Sequence, residues 1–241
     1  VITNEEGWYK KALDTDLARP KFAIMNPEIT YTLPDYQTQC GCADIMMHTM
    51  ERYFVLEDTM EITDKIAQDV MKNVMKYAKI LKKDPENYEA RAEIMWCGSL
   101  SHNGLTGCGT CGGDWATHLI EHELGGMFDV AHGAGLAAVW GSWARYVMDE
   151  KPERFAQFAV NVMGVKESED VKSTALKGIE AVEDFYRMIE MPTNLKELGI
   201  DPTDEQIKDM AMKATNHDTQ QLGAFKKLSA KDLVEIYKAA K

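Results

Sequence analysis

Apolar residues recur every three or four positions from Pro34 to the end of the chain, and this spacing constrains the fold more than any other feature. Met46, Met50 and Tyr53 show it in the first segment, and Pro34 suits a helix start because its missing N–H would be unpaired there. Thr63–Asp64 is typical of the cap of a second helix. Further helices are predicted at residues 85–100, 114–124, 133–147, 152–163, 167–191, 204–215 and 230–240. We therefore expect a mainly α fold, a bundle of roughly eight to ten helices.

Two short segments before this helical part are typical of β-strands, Val1–Glu6 and Lys21–Asn26. The second ends at Asn26–Pro27, which is a turn signal. Because two strands alone are only marginally stable in water, we expect them to complete a sheet whose other strands lie upstream. The chain also begins with Val1 rather than Met and shows no leader segment, so we expect it to be a fragment of a longer protein.

Charge and cysteine content limit the function classes. The chain has 27 Lys and Arg against 39 Asp and Glu, a net charge of −12, which disfavours binding to nucleic acids and to anionic membranes. The longest apolar stretch, 131–148, is interrupted by His, Gly and Arg, so we predict no transmembrane helix. Five cysteines are too few and too uneven for a secreted disulfide framework, and we expect a cytoplasmic protein with reduced thiols.

The histidines cluster in the middle of the chain and share a spacing with one aspartate. Asp44 and His48 stand four residues apart, which puts a carboxylate and an imidazole on one face of a helix. His118 and His122 repeat this spacing, and His132 follows His118 by fourteen residues. Unpaired ionisable groups cost free energy in the apolar surroundings of both pairs, so we favour a shared divalent metal ion. His102 and His217 lack such apolar surroundings, and we assign them to structural or loop positions.

A second interpretation of the same segment is a zinc peptidase. Residues 118–122 spell H-x-x-E-H, the inverted motif in which two histidines bind zinc and the glutamate activates water. A five-residue match is weak support, and it leaves the other candidate ligands without a role. We therefore keep the peptidase as an alternative and favour the larger constellation.

The cysteines offer another kind of metal site. Cys40 and Cys42 form a C-x-C, and Cys108 and Cys111 form a C-x-x-C, which together could supply a four-thiolate zinc site or, from the second pair, a redox motif. The spacing is looser than paired C-x-x-C units, and no βαβ context surrounds the second pair. We favour buried or loop thiols that are sensitive to oxidation.

Two long segments carry a resemblance to a known family. Residues 114–137 have the sequence DWATHLIEHELGGMFDVAHGAGLA, and residues 33–54 have the sequence LPDYQTQCGCADIMMHTMERYF. In this order they resemble the iron-containing alcohol dehydrogenases, specifically the butanol dehydrogenase branch, and other segments extend the resemblance over essentially the whole chain. It implies the dehydroquinate synthase-like helical domain of a two-domain enzyme. Residues 1–32 would then end an α/β dinucleotide-binding domain, and residues 33–241 would form the metal-binding catalytic domain.

The resemblance also implies a ligand set and a chemistry. Asp44, His48, His118 and His132 match the family's ligands for a catalytic iron or zinc, and His122 matches a histidine placed beside the substrate as a proton relay or orienting group. The implied reaction is hydride transfer between NADH or NADPH and a short primary alcohol or aldehyde. The Gly-rich turns that bind the cofactor phosphates have no counterpart here, so cofactor-binding residues are not assigned.

Two expectations concern partners. We expect little or no turnover of alcohol by the chain without the upstream nucleotide-binding domain, and we expect a homodimer. A non-catalytic interpretation stays open, in which the helical part is a metal-stabilised dimerisation domain.

Overall fold

The computed structural model describes residues 1–13, 15–57 and 60–241. It begins with a small antiparallel hairpin, β1 (Ile2–Asn4) and β2 (Tyr9–Lys11), in which Ile2 lies opposite Lys11. The turn between them contains Gly7 at φ 87°, a conformation that a residue with a side chain rarely adopts. The first predicted strand is therefore present, although it is shorter than expected.

The strand predicted at Lys21–Asn26 is wrong. This segment forms no strand, and a 3₁₀ turn at Pro27–Thr30 follows it. A strand needs a neighbour for its backbone hydrogen bonds, and the sheet within the described residues consists of β1 and β2 alone. The partner of β1 is β2, which the apolar pattern did not reveal because this strand, Tyr-Lys-Lys, is largely polar.

Downstream of Pro34 the described chain is mainly α-helical, as predicted. Its α-helices are α1 (Asp35–Tyr53), α2 (Glu61–Leu81), α3 (Tyr88–His102), α4 (Ala116–Phe128), α5 (His132–Val147), α6 (Pro152–Asn161), α7 (Val171–Met188), α8 (Asp204–Ala214) and α9 (Ala230–Ala239). None of the described helices is both long enough and apolar enough to cross a lipid bilayer.

Several helix ends differ from the prediction. Helix α2 starts at Glu61, so Thr63 and Asp64 lie inside its first turn, where Thr63 donates a hydrogen bond to the Cys108 carbonyl. Helix α4 continues through Gly125–Gly126 and ends at Phe128. The two glycines do not end the helix; their missing side chains leave space for the β-hairpin. In contrast, α8 and α9 begin where predicted, at Asp204 and Ala230, and each start is held by a capping box, at Thr203 and Ser229.

The core lies where α1, α4 and α5 meet. Helix α5 is buried over most of its length, and its Trp140 and Trp143 pack with Phe54 and Phe155, whose rings stack at 4.3 Å. Helices α6 and α7 cross closely at Gly178, where a Cβ would lie 2.5 Å from that of Ala159. This packing fixes the ends of α4 and α5 against the middle of α1.

Candidate metal centre

The four predicted ligands meet around one carboxylate oxygen. On α1, His48 Nε2 lies 3.6 Å from Asp44 Oδ1, as expected for residues one turn apart. His118 on α4 and His132 at the start of α5 bring their Nε2 atoms to 3.7 Å and 3.6 Å from the same oxygen. Helix α1 and the consecutive helices α4 and α5 therefore direct three imidazole nitrogens at one carboxylate oxygen. The donor atoms of Asp44, His48 and His118 lie within 4.8 Å of one another, and His132 forms a second such group with Glu121 and His122.

The distances and the unpaired atoms fit a metal ion. Asp44 Oδ1 and His118 Nε2 are buried and form no hydrogen bond with any described residue. Separations of 3.6–3.7 Å are too long for hydrogen bonds. Donors about 2.1 Å from a tetrahedral ion would lie about 3.4 Å apart, close to the three separations from Asp44 Oδ1. Imidazole and carboxylate ligands suit both zinc and ferrous iron.

The electrostatics of the centre favour a cation. Burial raises the pKa of Asp44, but His102 and His118 outweigh it and hold this pKa well below its usual range. Burial lowers the pKa of His48 to about 2, so this imidazole is neutral and its lone pair is available to a metal. Burial also acts against the charged form of His118, yet Asp44 and Glu51 raise its pKa to about 9. Positive charge is thus stabilised beside Asp44.

Two buried carboxylates contact the outer nitrogens of two candidate ligand histidines. Glu51 Oε1 lies 3.1 Å from His118 Nδ1 and also accepts a hydrogen bond from the His118 backbone N–H at 3.0 Å. Glu121 Oε2 is hydrogen-bonded to Nδ1 of His132. Each carboxylate leaves the Nε2 atom of its histidine directed at Asp44, an arrangement common in metal sites. Glu51 is a functional residue that the sequence does not single out, although an acidic residue on the buried face of α1 is a usable signal.

His102, assigned from the sequence to a structural or loop position, lies against the candidate centre. Its ring packs on that of His48 with centroids 3.7 Å apart, and its Nε2 lies 3.7 Å from Asp44 Oδ2, the second oxygen of that carboxylate. The side chain is 44% exposed, and Nδ1 lies 2.9 Å from the Gly98 carbonyl oxygen. The contact arises where the end of α3 packs against α1, which helical spacing alone does not predict. His217 does lie in an exposed turn, as expected.

The fifth predicted residue, His122, lies beside the centre rather than on Asp44. Its ring centroid is 5.6 Å from that of His132. Burial lowers the pKa of His122 to about 3, with further contributions from His132 and Lys10, so the ring is neutral. Together with His48, His102, Trp115, His118 and His132 it lines a cavity of about 590 Å³, large enough for a small organic molecule.

The cysteines do not form a rival site. Cys40, Cys42 and Cys97 are buried thiols, whereas Cys108 and Cys111 are exposed in the loop before α4. In the part of the chain that the structure describes, the groups of side chains close enough to share a metal contain Asp, Glu and His only. Burial raises the pKa of Cys42 to about 12, which keeps it protonated and unsuited to metal binding.

Comparison with known proteins gives the family of this chain. Residues 38–241 match the Fe-containing alcohol dehydrogenase family, C-terminal. The chain belongs to this family. It is 34% identical to NADH-dependent butanol dehydrogenase A of Clostridium acetobutylicum over 99% of its own length and 61% of that protein. It is 36% identical to the probable NADH-dependent butanol dehydrogenase 1 of Bacillus subtilis, with coverage of 100% and 61%.

Solved structures in this iron-containing alcohol dehydrogenase family share the fold. The crystal structure of NADH-dependent butanol dehydrogenase A from Thermotoga maritima superposes with a TM-score of 0.92 at 35% identity, covering 99% of this chain and 61% of that one. The structure of Escherichia coli YqhD gives 0.93 at 30% identity, with coverage of 100% and 60%. The chain therefore spans about three-fifths of the length of these relatives, and it corresponds to their helical C-terminal part.

The geometry also bears on the peptidase interpretation. An inverted-motif peptidase needs the glutamate of H-x-x-E-H free to activate a water molecule. Here Glu121 is fully buried, bonded to His132 and paired with Lys10. His118 is directed at Asp44 on α1, which has no counterpart in that motif. The arrangement of these side chains therefore favours the four-ligand centre.

Proposed function

We propose that the chain is the metal-binding catalytic part of an NAD(P)H-dependent alcohol dehydrogenase acting on short primary alcohols and aldehydes. The observation that carries this proposal is the convergence of three imidazole nitrogens on Asp44 Oδ1 at the wall of the cavity. The substrate class is supported by the relatives, which are named as butanol dehydrogenases and, for one at 32% identity from Escherichia coli, as an NADPH-dependent aldehyde reductase.

Asp44, His48, His118 and His132 would hold Fe(II) or Zn(II). When bound, such an ion supplies a Lewis acid for the oxygen of the alcohol or aldehyde, and the nicotinamide supplies the hydride chemistry. The chain's own contribution is to hold the donor side chains in position. Because the donors project from packed helices rather than from loops, their relative placement is fixed before any substrate enters.

His122 would act on the substrate from the cavity wall. It is one turn beyond His118 on α4 and lies next to His132, so it faces the region where an oxygen near the metal centre would sit. A neutral imidazole can accept a proton at one ring nitrogen while the other donates. We therefore assign His122 the role of proton relay or orienting group.

We also propose that residues 1–32 end an α/β dinucleotide-binding domain, and that alcohol turnover requires that domain. Several apolar side chains in this segment are exposed, which is costly unless another part of the protein covers them. They include Ile2, Leu17, Phe22 and Ile24. Reduction of butyraldehyde with NADPH or NADH by this chain alone would contradict the requirement, and light scattering would test the expected homodimer.

The metal centre is tested by elemental analysis of protein purified without added metal and without oxygen. We expect about one iron or zinc per chain in the wild type, as for a single four-ligand site, and none in His132→Ala. Cys108→Ser and Cys111→Ser serve as controls and should keep the metal. Metal that survives His132→Ala but is lost in a cysteine variant would overturn the proposed centre.

A further inference from the structure

A lysine from the N-terminal hairpin reaches the carboxylate that contacts the ligand His132. Lys10 lies on β2, is only 15% exposed, and places Nζ 3.6 Å from Glu121 Oε2. The same oxygen is hydrogen-bonded to His132 Nδ1. The other oxygen, Glu121 Oε1, is buried and has no hydrogen-bond partner among the described residues. The fully buried Glu121 carboxylate thus depends on one ammonium group and one imidazole.

Glycines on two helices make room for this arrangement. A Cβ at Gly135 on α5 would lie 2.8 Å from Glu121 Cγ and 2.9 Å from its Oε1. A Cβ at Gly125 on α4 would overlap Lys10 Nζ, and one at Gly126 would lie 2.8 Å from the Trp8 carbonyl oxygen. The hairpin therefore packs on the face of α4 formed by Gly125 and Gly126, close enough for the Lys10 side chain to reach Glu121.

We propose that Lys10 and Glu121 are positioning residues for His132, an inference that rests on the metal centre proposed above. Glu121 accepts the Nδ1 proton of His132, which leaves the Nε2 lone pair for the metal and fixes the ring plane. Lys10 neutralises and holds the buried carboxylate, which would otherwise be costly at this depth. Through this chain of contacts the hairpin sets the metal affinity of a site built on the helices.

The chain offers a matched pair for comparison. Lys11 is the next residue of the hairpin, and its Nζ lies 3.6 Å from Oε1 of Glu123, also on α4 and also buried. Lys11 is 61% exposed, and within the described part of the chain no hydrogen bond or ion pair joins this pair to the candidate ligands or to Glu121. The two pairs therefore share strand, helix and distance, whereas Lys11 is more exposed than Lys10 and only Glu121 contacts His132.

The test is a zinc titration of the metal-free chain against a chromophoric chelator, repeated with Co(II), whose absorption reports the ligand geometry. Partners that orient ligand histidines typically change metal affinity by 10–100-fold, so we expect Glu121→Gln to weaken zinc binding about tenfold or more. Lys10→Met should weaken it about fivefold, because the carboxylate stays but loses its anchor, and Lys10→Arg should restore it. Lys11→Met and Glu123→Gln should stay within about twofold of the wild type. Circular dichroism of each metal-free variant confirms that it is folded.

His132→Ala separates the two possible failures. If this variant binds zinc as tightly as the wild type, the proposed metal centre itself is wrong. If it loses zinc while Lys10→Met and Glu121→Gln bind as tightly as Lys11→Met and Glu123→Gln, the centre stands and the positioning inference is overturned.

Discussion

Gly133, the second residue of α5, tests how closely the metal centre depends on helix packing. An alanine there would drive its methyl group into the carbonyl oxygen of Cys40 on α1, and the new Cβ would lie 2.6 Å and 2.9 Å from Cys40 C and Cα. Carbon atoms pack at about 3.5 Å or more, so α5 would have to move by about 1 Å. His132 precedes this glycine and Asp44 lies one turn beyond Cys40, so the movement would separate donors on the two helices.

Two magnitudes follow from this clash. Overpacking a well-packed interface costs about 1–3 kcal/mol, of which the helix preference of alanine over glycine recovers at most about 1 kcal/mol. Metal–ligand distances tolerate only about 0.2 Å, so a displacement of His132 by about 1 Å should lower zinc affinity at least about tenfold. Gly133→Ala should therefore lose both stability and metal.

Two other glycines supply the controls. Gly178→Ala would clash with Ala159 at the crossing of α6 and α7, remote from the ligands, and should lower stability while zinc affinity stays unchanged. Gly41→Ala lies on α1 itself, but no described atom comes within 4 Å of its Cβ, so it should be neutral or stabilising by up to about 1 kcal/mol. Urea unfolding of the metal-free variants gives the stabilities, and zinc titration gives the affinities. Wild-type zinc affinity in a destabilised Gly133→Ala protein would refute the reasoning.

Three further predictions concern pH, a buried hydrogen-bond network and metal removal. Burial raises the pKa of Glu123 from 4.5 to about 7, so its protonated form stabilises the folded state below about pH 4.5, and this stability is lost as the pH rises through 7. Between about pH 5 and pH 8, the free energy of unfolding of Glu123→Gln should therefore gain up to about 3 kcal/mol on that of the wild type. Urea unfolding measures this difference, and a difference that does not change with pH would contradict the prediction. Asp114 accepts three backbone N–H groups that tie α4 to residues 224 and 225, so Asp114→Ala should cost about 2–4 kcal/mol and Asp114→Asn less, by the same assay. Zinc at about a thousand times its Kd should stabilise the wild type by about 4 kcal/mol in thermal unfolding, reversed by chelator, and an equal effect on His132→Ala would place the ion elsewhere.

Helix positions could be predicted from the sequence because the apolar stripe itself defines them. The helix ends were less reliable, since residues with strong local preferences serve tertiary contacts instead. Asp64 looked like a cap, yet it forms a buried ion pair with Arg154. Gly125 and Gly126 looked like a stop, yet they receive the hairpin. A local preference worth about 1 kcal/mol is easily outweighed by such packing.

The candidate site was predictable only as far as helical spacing reaches. The i,i+4 pairs placed Asp44 beside His48 because both lie on one helix, and that geometry is independent of the rest of the fold. No sequence rule could show that the end of α3 brings His102 onto His48, because that contact depends on how α3 packs against α1. The role of Lys10 was equally hidden, since β2 has too little apolar pattern to be recognised as a strand.

The distribution of charge around the centre explains why metal and fold should be coupled. Asp44, Glu51 and Glu121 converge on one small region, and the last two are almost completely buried. Buried carboxylates destabilise a fold unless cations or hydrogen-bond donors compensate them. Lys10 compensates one of them, Glu121. A divalent ion shared by the imidazoles would supply the missing positive charge at the point where α1, α4 and α5 meet. The metal-free chain should therefore loosen first at that junction, and hydrogen exchange should show the protection of these three helices rising most when zinc is added.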